Sequence, residues 1–284
     1  MKTQGYSYLS LSDALYNAEL GDRETCKYEA GILLEHFCDL RREQIPFRKN
    51  EIFTSSELLD AVEKRIGRYP LQYLIGEWPF FNEVYRVTPH CLIPRADTEV
   101  LVELAIDALP QNGRILDLCT GSGCIAISLL ASRKDAYGTA VELYPTTLDI
   151  AKENAVLNRV SDRLDFLLAD ALLPSFMDSL GDFDLILSNP PYIPTLDVSG
   201  LSPEVRHEPH AALDGGADGL DFYRHIVSAY SKYLKPSGKL IFEIGYDQGE
   251  ALGNIAESHG YVCRIIKDLG KNDRVAVLSK PEVC

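Results

Sequence analysis

Strand-like and helix-like segments alternate along the chain from residue 94 onward, and this alternation limits the fold more than any other feature of the sequence. Short apolar runs predict strands at residues 115–118, 137–142, 164–168, 183–188, 240–245, 262–267 and 274–278. Helical patterns lie between them at residues 125–131, 145–157, 221–234 and 248–258. Because crossover helices join parallel strands, this order predicts an α/β fold with a mostly parallel sheet covered by helices.

The first seventy or so residues predict a small helical bundle. Ser10 or Ser12 is suited to cap a helix that runs through residues 15–20, and Ser55 or Ser56 is suited to cap a later one. Apolar residues at helical spacing mark the buried faces of the second and third helices: Ala30, Leu33, Leu34, Phe37, Leu58, Leu59, Val62 and Ile66. This periodicity fits a bundle that serves only its own stability as well as one that recognises a partner.

A segment rich in β-forming residues separates the two patterns. Tyr69-Pro70 interrupts the helical periodicity, and Asn82 supplies a turn within residues 72–93. We therefore predict a helical domain at residues 1–71, a β-hairpin linker at 72–93 and a second domain at 94–284. The length of 284 residues agrees with two domains.

The net charge and the cysteines exclude several classes of protein. With 28 basic and 42 acidic residues the net charge is −14, which disfavours binding to nucleic acid through its phosphates. The seven cysteines, among them Cys284, are scattered without the spacing of a disulfide framework or a zinc site. The chain shows neither an N-terminal signal pattern nor an apolar run long enough to span a membrane. We expect a cytoplasmic, metal-free monomer.

A glycine loop follows the first predicted strand of the second domain. In Cys119-Thr120-Gly121-Ser122-Gly123 the glycines allow a tight turn and let a ligand approach the backbone. Ala126 stands where dinucleotide-binding loops have a third glycine, and the Gly-Lys-Ser/Thr of phosphate-binding loops is missing. The loop taken alone is equally typical of a plain strand-to-helix turn.

Acidic residues at the ends of the next two strands favour a ligand-binding loop over a plain turn. Glu142 follows the glycine loop by roughly 20 residues, the spacing at which a carboxylate accepts hydrogen bonds from a ribose diol. Asp170 follows the third strand, where it could meet an adenine amine, although an ordinary surface aspartate also fits. These positions favour a nucleoside without a pyrophosphate, with S-adenosylmethionine as the leading candidate.

The tetrapeptide Asn189-Pro190-Pro191-Tyr192 directly follows another strand, at the sheet edge where ligands bind in such folds. A planar –NH₂ group is a poor nucleophile because its lone pair is delocalised. The Asn189 side-chain oxygen and the Pro190 carbonyl could accept its two N–H groups and stabilise the charge that grows on nitrogen during methylation. The prolines stiffen the loop, and Tyr192 could stack on a flat substrate group. A structural proline-rich turn is the plain alternative.

Further motifs surround these residues. They are Pro94-Arg95-Ala96-Asp97-Thr98-Glu99, Glu208-Pro209-His210-Ala211-Ala212-Leu213, Asp218-Gly219-Leu220-Asp221-Phe222-Tyr223-Arg224, Glu243-Ile244-Gly245, Gln248-Gly249 and Asp273-Arg274-Val275. Over essentially its whole length the chain resembles the HemK/PrmC family of peptide chain release factor N5-glutamine methyltransferases. The resemblance implies a class I, Rossmann-like methyltransferase domain with a seven-stranded, mostly parallel sheet.

The resemblance also implies an activity and a set of site residues. The reaction is methyl transfer from S-adenosylmethionine to the glutamine of the Gly-Gly-Gln motif in class I release factors. The cofactor would be bound by Cys119, Thr120, Gly121, Ser122, Gly123, Glu142, Asp170, Ala171 and Asn189. Asn189, Pro190, Pro191 and Tyr192 would hold the glutamine, with Asn189, Pro190 and Tyr192 as the catalytic residues.

Two positions depart from the family pattern. Cys119 stands where the family often has glycine, so its side chain must fit beside the cofactor or point away. We interpret it as a small core residue rather than a reactive thiol. Ala171 stands where some relatives have an aromatic residue, so stacking on adenine must come from elsewhere. Thr98, Glu99 and Glu208 are candidates for shaping the substrate channel, although helix capping explains the first two equally well. His207 and His210 are interpreted as solvated loop residues.

Two other functions fit parts of the pattern. An adenine-N6 methyltransferase shares Asn-Pro-Pro-Tyr because adenine also presents a flat –NH₂, but the acidic charge and the lack of a base-reading module disfavour it. A binding module that has lost catalysis is disfavoured by the intact motifs. Basic residues cluster at Arg41, Arg42, Arg48 and Lys49 and again at Lys64, Arg65 and Arg68. Both groups fit solvated surfaces, and our hypothesis is that some of these residues contact an acidic surface of the release factor.

Overall fold

A computed structural model describes residues 5–281 and divides the chain into two compact units. The first unit comprises Met1–Gly76 together with Ser202–His207, and the second comprises Glu77–Leu201 and Glu208–Cys284. Cys284 lies outside the described residues. The six cysteines within them are free thiols. A short segment from the second half of the sequence therefore folds with the helical unit, which chain order alone does not indicate.

The first unit is a bundle of helices. Its helices are α1 (Tyr8–Asn17), α2 (Arg23–Cys38), α3 (Ile45–Arg48), α4 (Ser56–Ile66) and α5 (Leu71–Ile75). The predicted cap of α1 was wrong: Ser7 is the N-cap, and Ser10 is its reciprocal partner at the third helical position. Ser55 caps α4, as one of the two predicted alternatives. Leu11, Leu15, Leu33, Leu34, Leu58 and Val62 are fully buried and form the core of the bundle.

One basic residue of the sequence clusters lies inside this bundle. Arg65 is 4% exposed, and its Nε and Nη2 atoms donate to the two carboxylate oxygens of Glu29 at 2.8 and 3.0 Å. Glu204, from the segment Ser202–His207, accepts hydrogen bonds from Arg65 at 3.4 Å and from Arg68 at 3.1 Å. The interpretation of this second basic cluster as a solvated face is therefore wrong for Arg65, which is a buried structural residue.

The hairpin forms at the start of the second unit. Strands β1 (Glu77–Phe80) and β2 (Glu83–Arg86) pair antiparallel. Tyr85 in β2 is fully buried, and its hydroxyl lies 2.6 Å from the Ser128 hydroxyl. The hairpin therefore belongs to the second compact unit and packs on the rest of it.

A seven-stranded sheet forms the centre of the second unit. Its strands are β3 (Arg114–Leu118), β4 (Tyr137–Glu142), β5 (Leu164–Leu168), β6 (Phe183–Ser188), β7 (Leu234–Glu243), β8 (Val262–Lys267) and β9 (Asp273–Ser279). They lie in the order β5-β4-β3-β6-β7-β9-β8, and only β9 runs antiparallel to its neighbours. This is the class I methyltransferase arrangement that the resemblance implied.

The helices of this unit cover the sheet and fix its boundaries. They are α6 (Glu99–Ala108), α7 (Cys124–Ser132), α8 (Pro145–Leu157), α9 (Asp221–Tyr230) and α10 (Gly249–Ser258). The helix predicted at residues 221–234 ends at Tyr230, and β7 begins at Leu234 rather than at residue 240. Leu234 pairs with Phe183 of β6 despite Pro236 and Gly238 nearby, so pairing with the neighbouring strand overrides the local preference. Within residues 5–281, none of the helices has both the length and the apolar character of a membrane span.

The ends of five adjacent strands meet at one edge of the sheet. Leu118 of β3 is paired with Val141 of β4 and with Ser188 of β6, while Glu142 is paired with Leu168 of β5. Ser188 is in turn paired with Phe242 of β7. This register places the residues that follow β3, β4, β5 and β6 and the last residue of β7 side by side.

Candidate active site

A cavity of about 410 Å³ opens at this edge of the sheet. Most of the predicted site residues line it: Cys119, Thr120, Gly121, Ser122, Glu142, Asp170, Ala171, Asn189 and Pro191. Gly123, Pro190 and Tyr192 belong to the same loops but are not among the lining residues. The volume is in the range of small-molecule sites in proteins.

The glycine loop turns sharply between β3 and α7. Gly121 and Gly123 adopt φ values of 57° and 84°, which residues with a side chain rarely adopt. A Cβ atom on Gly121 would meet no atom within 4 Å, whereas one on Gly123 would lie 2.7 Å from the Ile127 side chain. Gly121 thus leaves open space in the cavity wall, and Gly123 allows α7 to begin tightly against the loop.

Asp117, which was not among the predicted site residues, holds this loop through a hydrogen bond. It is fully buried in β3, and its Oδ2 accepts the Thr120 hydroxyl at 2.5 Å. Burial raises the pKa of the Asp117 carboxyl to about 7. One clue to this role is present in the sequence, because Asp117 is the one charged residue in the apolar run at residues 115–118.

Glu142 ends β4 and connects it to the glycine loop. Its Oε2 accepts the Gly121 N–H at 3.0 Å, and its Oε1 accepts the N–H groups of Leu143 and Tyr144 at 3.0 and 3.1 Å. Burial raises the pKa of this carboxyl, and the three N–H donors act in the opposite direction. The contacts fix the carboxylate in one orientation at the cavity wall.

Asp170 and Ala171 continue the wall after β5. The Asp170 Oδ1 accepts the N–H of Leu172 at 2.8 Å, which holds this turn in shape. Ala171 is buried, and its carbonyl accepts the Tyr230 hydroxyl at 2.7 Å. Leu143 and Leu172 line the same cavity and supply its apolar surface near the two acidic residues.

Cys119 has an unusual backbone for a residue with a side chain. Its φ is 58°, in the left-handed region that favours glycine, and it packs against the apolar core on one side of the sheet. Burial raises the pKa of its thiol far above the ordinary value, so the thiol stays protonated and unreactive. A glycine at this position would adopt the same backbone without this strain.

The Asn-Pro-Pro-Tyr loop begins directly after β6. The Asn189 side chain lines the cavity, and its Nδ2 lies 3.4 Å from the Thr98 hydroxyl oxygen. The Tyr192 hydroxyl donates to Oε1 of Glu243 at 3.4 Å, and burial strongly raises the pKa of this phenol. The loop is thus connected to two buried polar residues on other elements.

The Asn-Pro-Pro-Tyr loop is held by Gly215 and by two residues of the flanking motifs, Gly219 and Gln248. A Cβ atom on Gly215 would lie 2.7 Å from the Pro191 carbonyl oxygen, and one on Gly219 would lie 2.3 Å from the Tyr192 carbonyl oxygen. The Gln248 side chain donates to that same Tyr192 carbonyl at 2.9 Å. These motifs therefore place backbone against backbone around the loop.

The channel candidates act differently from the helix caps that the sequence suggested. Thr98 precedes α6 without a capping hydrogen bond from its side chain, and its hydroxyl donates instead to the Glu243 carboxylate. Glu99 accepts the N–H of Phe81 in the hairpin at 2.9 Å. Glu208 is buried, accepts the N–H of Ile93 at 3.1 Å and pairs with Arg95. Thr98 thus occupies the N-cap position of α6 without a capping hydrogen bond from its side chain, and the capping interpretation is wrong for Thr98.

The two histidines lie in different surroundings. His210 lines the cavity with a largely exposed side chain, and His207 packs edge-on against the Tyr69 ring within the helical unit. Among the residues that the structure describes, no group of three His, Cys, Asp or Glu side chains could hold a metal ion.

Comparisons with known proteins cover both units. Residues 15–76 match the family model described as the PrmC N-terminal domain, and residues 96–201 match that of the methyltransferase small domain. The chain is 39% identical over 256 residues to a release factor glutamine methyltransferase of Moorella thermoacetica, with 88% of this chain and 89% of the relative covered. It is 44% identical over 218 residues to a release factor glutamine methyltransferase of Geobacter sulfurreducens, covering 75% and 74%.

Among solved structures, a methyltransferase from Pyrococcus furiosus superimposes with a TM-score of 0.50 at 18% sequence identity. The match covers 71% of this chain and 91% of that one. At this identity the similarity concerns the fold alone.

Proposed function

Because this chain belongs to the family of release factor glutamine methyltransferases, we propose that its cavity methylates the side-chain amide nitrogen of a release factor glutamine. S-adenosylmethionine supplies the methyl group. One observation carries the assignment of the site: a single cavity wall combines the glycine loop and Glu142 with Asn189 and Pro191. A methyl donor and an amide acceptor would therefore bind side by side.

The cavity residues that follow β3, β4 and β5 fit a nucleoside cofactor. Gly121 leaves space for close approach to the backbone, and the Glu142 carboxylate is fixed in place to accept ribose hydroxyls. Asp170 is available to accept the adenine amine. Because Ala171 offers no ring, we propose that Leu143 and Leu172 pack on the adenine instead.

Asn189 and Pro190 would prepare the acceptor nitrogen for attack. The Asn189 Oδ1 accepts one N–H of the glutamine amide, and the Pro190 carbonyl accepts the other. These two contacts orient the nitrogen lone pair toward the methyl group and stabilise the positive charge that develops on nitrogen. The proton leaves after the methyl group has been transferred, so the chain needs no strong base.

Tyr192 and Pro191 would confine the rest of the glutamine. The Tyr192 ring is held through its hydroxyl by Glu243, and Pro191 forms part of the cavity wall. A ring fixed in this way can pack on a flat amide group and exclude water from the reacting nitrogen.

The substrate class proposed is the Gly-Gly-Gln motif of class I release factors, bound by a monomer without direct contact to nucleic acid. The net charge of −14 favours a protein substrate over double-stranded DNA, because an acidic protein repels the DNA phosphates. An adenine-N6 acceptor shares the same –NH₂ chemistry and is the alternative that the assay below tests.

Arg41 and Arg42 are proposed to contact an acidic surface of the release factor. Arg42 is already paired with Glu35 at 3.0 Å, so Arg41 offers the freer charge. Changing both residues to glutamate should weaken binding of the release factor, and the exposed Lys152→Glu serves as the control. Unchanged affinity of the double variant would remove this part of the proposal.

Labelled S-adenosylmethionine tests the substrate. The protein is incubated with a release factor, with the same factor carrying Gln→Ala in its Gly-Gly-Gln motif, and with duplex DNA. Label should appear on the wild-type release factor alone. Label on DNA, or label that persists on the Gln→Ala factor, would overturn the proposed function.

An Asn189→Ala variant tests the catalytic assignment. It should lower kcat by roughly 10²-fold because positioning and charge stabilisation are both lost. The control is Asn158→Ala, which changes an asparagine at the end of α8 away from the cavity. A kcat of the Asn189 variant close to that of the control would refute the role of Asn189.

A further inference from the structure

We propose that Thr98 and Glu243 form a hydrogen-bond relay that fixes the Asn189 amide with its oxygen directed toward the reacting nitrogen. This inference rests on the proposed role of Asn189. It assigns Thr98 and Glu243 as positioning residues, which act on the reaction through Asn189.

Glu243 is placed to anchor the relay. It is the last residue of β7 and only 1% exposed. Its neighbour Phe242 pairs with Ser188, the last residue of β6, which Asn189 directly follows. The Thr98 hydroxyl donates to its Oε2, and the Tyr192 hydroxyl donates to its Oε1 at 3.4 Å. The Tyr223 hydroxyl donates to its backbone carbonyl at 2.8 Å. Contacts from three other elements therefore hold this residue in place.

The relay has a direction because a hydroxyl carries one proton. An ionised Glu243 carboxylate can only accept, so in that state Thr98 donates its proton to Glu243 and the Thr98 oxygen can only accept further hydrogen bonds. The group next to it on the Asn189 side is the side-chain amide, 3.4 Å away. Only the NH₂ of that amide can donate to the Thr98 oxygen, and a reversed amide would place oxygen against oxygen with no proton between them.

The orientation decides what Asn189 presents to the substrate. With its NH₂ held by Thr98, its Oδ1 is free to accept an N–H from the glutamine amide. A reversed Asn189 would present N–H donors to a nitrogen that itself carries two protons, and the hydrogen bond would be lost. An acceptor is the group that the reaction needs, because it stabilises the charge growing on that nitrogen.

The position of Thr98 agrees with this role better than with a role in α6. Thr98 is 1% exposed and lines the cavity, yet its side chain makes no capping bond to the helix that follows. Its hydroxyl would otherwise be the obvious cap for that helix. The hydroxyl is instead used between a buried carboxylate and the amide of Asn189.

The test compares Thr98→Val, which keeps the shape but removes the hydroxyl, with Thr98→Ser, which keeps the hydroxyl. Thr139→Val, at a buried threonine in the middle of β4, is the matched control for a buried Thr-to-Val change, and Asn189→Ala is the reference. For each variant, kcat and KM are measured with a release factor, and the Kd of S-adenosylmethionine is measured by calorimetry.

Thr98→Val should lower kcat by about tenfold or more, while Thr98→Ser restores most of it. The Kd of S-adenosylmethionine should stay within about threefold of wild type, because the glycine loop and Glu142 are untouched. A Thr98→Val kcat equal to that of Thr98→Ser would overturn the relay, as would a loss confined to cofactor affinity.

A second variant keeps the proposal testable if Thr98→Val does not fold. Glu243→Gln has the same size but can donate to Thr98, which frees the Thr98 proton for the wrong end of Asn189. It should also lower kcat by about tenfold, and an unchanged kcat would overturn the relay. A normal kcat of Asn189→Ala would instead refute the proposed role of Asn189, so the two failures are distinguishable.

Discussion

The Glu142 carboxylate accepts the backbone N–H of Gly121 at 3.0 Å, joining residues that lie 21 positions apart in the sequence. The contact ties the end of β4 to the loop after β3, and both line one cavity. Two motifs that look separate in the sequence therefore form one wall. A cofactor that binds this wall would depend on the carboxylate directly and through the loop it holds.

We expect Glu142→Gln to weaken the binding of S-adenosylmethionine by about 10- to 100-fold, because charge-assisted hydrogen bonds are replaced by neutral ones. Calorimetric titration of the purified protein measures this. Glu257→Gln, at an exposed position in α10, is the control and should bind as wild type does. Equal affinity of the two variants would contradict the role of Glu142.

Cys119→Gly and Cys119→Ala should differ in stability. Both remove the sulfur, but only alanine keeps a Cβ at a φ of 58°. Relief of the backbone strain should therefore give the glycine variant the larger free energy of unfolding, by about 1 kcal/mol. The greater conformational entropy of glycine in the unfolded chain reduces this difference. Denaturant unfolding without ligand measures the difference. An alanine variant as stable as the glycine variant would show that this backbone is not strained.

Glu243 should make stability depend on pH. Burial raises the pKa of its carboxyl to about 7, with Asp97 acting in the same direction and Thr98, Arg274 and Tyr192 opposing it. Between about pH 4.5 and 7 the folded chain keeps a proton that the unfolded chain has released. The free energy of unfolding therefore decreases as the pH rises through this range, and the contribution of the bound proton is lost above about pH 7.

Glu243→Gln isolates this effect because glutamine does not titrate. The free energy of unfolding of wild type, relative to this variant, should fall from pH 5 to pH 7 by up to about 1.4 kcal/mol per pH unit and then level off. Urea unfolding at several pH values measures it. A difference that stays constant, or rises with pH, would contradict the buried, proton-binding state of Glu243.

Arg65→Met should strongly destabilise the helical unit. The change leaves the Glu29 carboxylate without its bidentate partner in a buried position, and removing one member of such a pair costs about 3–5 kcal/mol. Denaturant unfolding of the full chain, followed by helical circular dichroism, measures the loss. Lys64→Met breaks an exposed ion pair with Asp60 in the same helix and should cost less than about 1 kcal/mol. Similar losses for both variants would contradict the structural role of Arg65.

The sequence by itself determined the class of fold and the segments that carry the site. Alternating strand and helix patterns define a parallel sheet, and the ends of parallel strands must lie at one edge. For this reason the glycine loop, Glu142, Asp170 and Asn189 could be placed near one another from their positions after predicted strands. Local chemistry also limited the cap of α4 to Ser55 or Ser56 and placed Asn82 in the turn of the hairpin.

Only the tertiary structure decided which polar side chains meet. From the sequence, Thr98 fitted a helix cap as well as a place in the substrate channel, but its hydroxyl reaches Glu243, which lies 145 residues later in the sequence. Arg65 looked like part of a basic surface, but Glu29 and a segment from the second half of the chain surround it. Periodicity reports the environment of a residue along its own element, whereas its partners depend on strand order and loop path. Those long-range contacts determine how Asn189 is held, and with it the chemistry we propose.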